Sequence, residues 1–133
     1  MPNNLSVLAV GHDPATQASL MHDLSPEGFT VKTAATSEQA IALMASECFS
    51  IVLMEVRLRG PGMDGFGLLT HIKKTQPETR VLLLTERADL KNAIAAKKRG
   101  AEDFISLPYD LADLLTTMMR VLSKEPSFPE REY

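Results

Sequence analysis

A continuous apolar run, Ile51-Val52-Leu53-Met54, stops at one carboxylate, Glu55, and a loop rich in glycine and proline follows at once. A run of that kind reads as a strand buried on both sides, and the tip of such a strand suits a reactive group. Other runs end on groups of interest too. Leu5 to Val10 breaks at Gly11 and is followed by His12 and Asp13, Val81 to Leu84 ends on Thr85, and Asp103 to Ser106 leads into Leu107-Pro108. Histidine titrates near neutrality, so a Glu55–His12 pair would respond to pH. The plainer alternative is a loop histidine in solvent without a partner. Asp13, directly before Pro14, reads more simply as the cap of a helix than as a reactive acid.

The elements that must position these groups alternate regularly. After the first strand, Asp13-Pro14 starts a helix with Leu20, Met21 and Leu24 on its inner side, ended by Ser25-Pro26-Glu27-Gly28. Phe29 to Ala34 is the second strand. Thr36 with Gln39 three residues later fits a capping box, and the helix it opens runs to about Glu47 with Ala40, Leu43 and Met44 inward. Ile51 to Glu55 is the third strand, and Gly65 to Thr75 is a helix burying Leu68, Leu69 and Ile72. Val81 to Thr85 is the fourth strand, followed by a helix from about Asp89 to Arg99 that Gly100 closes in a left-handed turn. Asp103 to Ser106 is a short fifth strand. Asp110 caps the last helix, whose stripe Leu111, Leu114, Leu115, Met118 and Leu122 has helical spacing and reads as core.

Five strands alternating with five helices predict an α/β fold, an open parallel sheet covered on both faces. The 133 residues suffice for one domain with a sizeable core. The expected division is a domain over residues 1–122 and a flexible tail or start of a linker over 123–133. A net charge of −3 gives no electrostatic case for nucleic acid or an acidic membrane. Lys97-Lys98-Arg99, with Lys91 two turns earlier, reads as a solvated helix end. Cys48 is the only cysteine, which leaves no disulfide framework and no zinc-ligand spacing. Neither a leader pattern nor a long apolar segment is visible, so a cytoplasmic location is expected.

Three motifs at the right separations, "PGMDGFGLL" (Pro61 to Leu69), "LLLTERAD" (Leu82 to Asp89) and "GAEDFISLPYD" (Gly100 to Asp110), resemble a response-regulator receiver domain of two-component signalling. The resemblance runs from about Leu5 to Leu122. It implies a flavodoxin-like, doubly wound sheet in the order 2-1-3-4-5 and a cis Leu107–Pro108 peptide. Typical receivers accept a phosphoryl group on an aspartate ending the third strand. Two acids after the first strand help hold Mg²⁺, a hydroxyl follows the fourth strand and a lysine follows the fifth.

Matched by position, little of that survives here. The phosphoacceptor position is Glu55, the acidic pair falls on Gly11 and His12, and the lysine position is Leu107. Thr85 and the aromatic switch position, Phe104, are kept. Asp13 is the one residual acid nearby. The loop after the third strand is about two residues longer, because Arg59-Gly60 precede the match. Glu55 is one methylene longer than aspartate, and a displacement of about 1 Å can cost roughly 100-fold in a positioned reaction. An aliphatic Leu107 cannot replace the clamping charge.

The resemblance with these losses implies a degenerate pseudo-receiver that is no enzyme, holds Mg²⁺ weakly or not at all, and needs no cofactor. It would act through a protein partner, or a second copy, on the face of helix four, strand five and helix five, with Lys91, Ala95, Lys98, Phe104 and Tyr109. A histidine kinase or an output domain is the expected kind of partner. Two alternatives stay open: phosphorylation at a non-standard site, and service as the N-terminal regulatory part of a longer transcription regulator. Glu55 bonded to Thr85, mimicking the phosphorylated state, is a further reading.

Overall fold

The computed structural model describes residues 5–58, 62–86 and 90–129. In chain order it contains β1 (Leu5–Val10), α1 (Pro14–Leu24), β2 (Phe29–Ala34), α2 (Ser37–Ser46), β3 (Ile51–Glu55), α3 (Gly65–Thr75), β4 (Arg80–Thr85), α4 (Leu90–Lys98), β5 (Asp103–Ser106) and α5 (Leu111–Leu122). The five strands are parallel and ordered β2-β1-β3-β4-β5, as the resemblance implies.

Local chemistry explains most boundaries. Asp13 accepts the Ala15 N–H at 3.1 Å with one oxygen and the Thr16 hydroxyl at 2.8 Å with the other, and Pro14 takes the first helical position. Thr36 accepts the Gln39 N–H at 3.2 Å while the Gln39 side chain accepts the Ala35 N–H at 2.8 Å. Asp64 and Asp110 cap α3 and α5 in the same way. Gly100 has φ +110, and its N–H and that of Ala101 donate to Lys97 and Ala96, closing α4 in a left-handed turn.

Small differences from expectation have simple causes. β4 begins at Arg80, one residue early, because the Arg80 N–H already donates to Ser50 of the neighbouring strand's approach. The expected start of α4 at Asp89 lies outside the described residues. Met21 was expected inward but is 41% exposed, whereas Leu20 and Leu24 are fully buried. One residue is about 100° of helix, enough to carry Met21 onto the flank.

Two layers cover the sheet, and the strands alternate between them. Val7, Ala9, Ile51, Leu53, Leu82 and Leu84 face α1 and α5, where they meet Leu20, Leu24, Leu114, Met118 and Val121. Leu8, Val10, Val52, Met54, Val81 and Leu83 face α2, α3 and α4. Burial on both faces is why these strands read as unbroken aliphatic runs. Each fully buried Leu or Ile contributes about 1.5–3 kcal/mol relative to exposure, so the central strands are the rigid frame for what stands at their tips.

The tail does not simply leave the domain at Leu122. Residues 124–129 turn back over the amino ends of the strands. There the Arg80 guanidinium donates to the Lys124 carbonyl at 2.5 Å, and the Ser127 N–H donates to the Glu102 carboxylate at 2.6 Å. Among the described residues, no helix is long and apolar enough to cross a membrane.

Candidate functional site

At the carboxyl ends of β1, β3 and β4 lies an open cleft of about 950 Å³ whose walls include His12, Asp13, Glu55, Leu107, Pro108 and Tyr109. The parallel register stops at Val10 beside Met54, so Gly11 and Glu55 lie one step further along the same pair of strands. That neighbourhood decides the site. A Cβ built on Gly11 would lie 1.8 Å from Glu55 Oε2 and 2.6 Å from its carboxyl carbon. The longer acid of β3 therefore stands in the space that a side chain at position 11 would fill. Any residue larger than glycine must evict it.

Glu55 is mostly buried, with 13% of its side chain exposed. Burial pushes its pKa above the ordinary glutamate value, against the opposing pull of the His12 ring and the His12 N–H, while the Asp13 charge adds to the rise. His12 approaches as the pairing idea requires, but loosely. Its Nδ1 lies 3.8 Å from Glu55 Oε2, beyond hydrogen-bond distance, and this buried nitrogen has no hydrogen-bond partner among the described residues.

The remaining positions divide into those the structure gathers and those it turns elsewhere. Thr85 is 2% exposed, and its hydroxyl donates to the Glu86 carbonyl at 3.1 Å. Its single proton is spent on backbone, so the hydroxyl makes no donation to Glu55 of the kind a phosphate mimic needs. Phe104 is half-buried against the α2–α3–α4 layer. The Leu107–Pro108 peptide is cis, and Leu107 packs with the opposite layer while also lining the cleft. Asp13 has both carboxylate oxygens engaged in capping α1, and those hydrogen bonds hold its carboxyl below the usual range.

Lys91, Ala95 and Lys98 are exposed on α4. Tyr109 is the exception among the residues assigned to that face. Its ring packs with the α1–α5 layer, and its hydroxyl donates to Asp23 of α1 at 2.6 Å. Burial and this bond push its pKa up. It therefore belongs to the cleft wall and not to the α4–β5–α5 face. Arg120 and Lys97 instead converge there on Asp103, at 2.7 and 3.8 Å.

Sequence reasoning passed over two organising residues. The Gln17 side-chain amide donates to the carbonyls of Ala9, Gly11 and Ala34, each at 3.0 Å, and so ties the loop bearing His12 to the ends of β1 and β2. Ser37, 1% exposed at the start of α2, accepts the Met63 N–H at 2.7 Å and fixes the far side of the β3–α3 loop. Arg59 and Gly60, the suggested insertion, lie outside the described residues. A glutamine one helical turn past a cap was the only cue to the first, and it is a weak one.

The donors suit a divalent oxygen-loving cation poorly. Gly11 offers no ligand, the Asp13 oxygens are committed, and histidine is not a ligand that Mg²⁺ favours. Among the described residues, no three His, Cys, Asp or Glu side chains converge to hold a metal ion.

The comparisons with known proteins agree with the architecture. The nitrogen assimilation regulatory protein NtrX of Azorhizobium caulinodans is 31% identical over 116 residues, covering 87% of this chain and 26% of the relative. The transcriptional regulatory protein TcrA of Mycobacterium tuberculosis is 32% identical over 127 residues, covering 96% and 49%. The crystal structure of the receiver domain of NtrX from Brucella abortus matches with a TM-score of 0.86 at 29% identity, over 90% of this chain and 99% of that one. This chain thus spans from about a quarter to half the length of those two regulators. With residues 7–119 matching it, the chain belongs to the response regulator receiver domain family.

Proposed function

We propose that this receiver domain signals by contact with a protein partner, without accepting a phosphoryl group at its β3 tip. The observation that carries this reading is the Glu55 carboxylate standing where a side chain at position 11 would be. It fills the place of a metal-binding acid from the neighbouring strand, while Leu107 leaves the phosphoryl clamp without a charge. Weak Mg²⁺ binding and no self-catalysed phosphorylation follow from that arrangement. The partner, which is a histidine kinase, an output domain or a second copy, would meet the α4–β5–α5 face through Lys91, Ala95, Lys98 and the edge of Phe104.

Incubation with acetyl phosphate and Mg²⁺, followed by intact-mass measurement, is expected to leave the mass unchanged. A stoichiometric phosphate adduct would overturn the reading and favour a non-standard acceptor such as Asp13 or Asp64. Glu55→Asp alone is expected not to restore acceptance. The combination with Gly11→Asp, His12→Asp and Leu107→Lys is the one that rebuilds the chemistry. In it, shortening Glu55 is a steric precondition for Asp at position 11.

A second reading concerns context. Because the chain covers only 26% of NtrX and 49% of TcrA, it fits the regulatory portion of a longer transcription regulator, with contact between domains as its output. This reading is compatible with the first.

A further inference from the structure

The amino-terminal pole of the sheet, opposite the cleft, holds a second concentration of buried polar chemistry that the receiver reading does not use. Glu102, just before β5, has a side chain only 5% exposed, and Lys73 of α3 has one only 1% exposed. They pair at 3.0 Å, and Lys73 also donates to the Thr79 carbonyl at 3.1 Å. Burial pulls the Lys73 pKa down, against the raising influence of Glu102. The other Glu102 oxygen accepts the Val81 N–H at 2.7 Å at the start of β4, and the Glu102 N–H donates back to the Val81 carbonyl at 2.8 Å.

Into this arrangement comes the chain beyond α5. The Ser127 N–H donates to Glu102 Oε2 at 2.6 Å, so the same oxygen serves both the lysine and the tail. Three residues earlier, the Lys124 carbonyl accepts from the Arg80 guanidinium. Two residues later, Pro129 lies over Gly100, where an added Cβ would meet Pro129 atoms at 3.2 and 3.3 Å. Gly100 is thus wanted twice: its φ of +110 closes α4, and its bare Cα leaves room for the tail.

We propose that residues 124–129 are a strap fastened in a peptide-binding notch formed by Arg80, Gly100 and the Lys73–Glu102 pair, and that the notch sets the direction in which the chain leaves the domain. The contacts are to backbone groups of the tail, so the notch recognises an extended segment with a free N–H at position 127 more than its side chains. Pro126 and Pro129 on either side limit the segment to extended shapes and lower the entropy lost on docking. The chain emerges at the pole remote from Glu55, along the edge of β4 and β5. A change in the position of β5 would therefore move the exit of the chain through Glu102 directly.

The test uses the whole chain and two substitutions at one surface position. Ser127→Pro deletes the donated N–H and touches no core residue, while Ser127→Ala keeps it. In the native chain, tryptic cleavage after Lys124 should be at least tenfold slower than in a free peptide of residues 118–133, and the Phe128 amide should show backbone order by ¹⁵N relaxation. Ser127→Pro should abolish both without shifting the melting temperature by more than a degree or two, and Ser127→Ala should preserve both. Cleavage in the native chain as fast as in the peptide would overturn the strap. Retention of protection in Ser127→Pro would overturn Glu102 as its fastener.

Discussion

Glu55 and Glu102 stand at opposite poles of one sheet, with side chains 13% and 5% exposed. Glu102 is met by an ammonium group and two backbone N–H groups within 3.0 Å. Glu55 has an imidazole nitrogen at 3.8 Å that does not bond to it, and burial raises its pKa. A buried carboxylate costs several kcal/mol unless donors replace its water. At the amino pole the sequence supplies those donors, and the acid serves as a structural joint. At the carboxyl pole the backbone N–H groups of His12 and Asp13 do not offset burial, and the acid stands at the strand end in the room that glycine leaves. The polar residues of one pole are joined by close hydrogen bonds, whereas the acid of the other stands at a strand end with its pKa raised by burial.

The sharpest way to break this contrast is to remove the cation of the satisfied pair. Lys73→Met should destabilise the domain by about 3–5 kcal/mol in urea unfolding, since it leaves Glu102 buried without its counter-charge. A loss under about 1 kcal/mol would show that Glu102 is less dependent on its partner than the geometry indicates. Next comes the packing at the other pole. Gly11→Ala should cost on the order of 1–3 kcal/mol by forcing Glu55 aside. Glu55→Asp, which withdraws the carboxylate, should recover at least about 1 kcal/mol of that in a double-mutant cycle. Additive effects would mean the two residues do not compete for space.

The smallest effect concerns charge alone. Because the folded pKa of Glu55 is raised, the folded state holds its proton to higher pH than the unfolded chain does. Its contribution to stability therefore falls as pH rises from the ordinary glutamate range through the folded value, and stays low above it. Glu55→Gln keeps the shape without the charge. It should match the wild type near pH 4 and be more stable by on the order of 1 kcal/mol at pH 8 in urea unfolding. The opposite trend would mean that the His12 attraction outweighs burial.

How much could be read beforehand depended on the distance between the residues involved. Thr36 and Gln39, Asp13 and Pro14, or Gly100 after a lysine-rich turn act within a few residues, so helix ends were found to within one or two positions. The aliphatic runs showed the strands because both faces are buried. Glu55 and Leu107 meet His12 around one cleft, since the fold brings strand ends together whatever they carry. What escaped was pairing between distant residues. Nothing local to Gly11 shows that Glu55 fills its space, and nothing in Glu102 announces Lys73, 29 residues earlier, or Ser127, 25 later. Tyr109 was given to the wrong surface for the same reason: its partner Asp23 is 86 residues away.

Gln17 adds a last consequence. Its amide group has two hydrogens and faces three carbonyls, so at any instant one acceptor is undersupplied. The loop carrying His12 hangs from a shared peg rather than a row of fixed rungs. Exchanging that one side chain would let the rim of the cleft swing while the aliphatic layers below stay still, giving evolution an adjustment screw separate from the chassis.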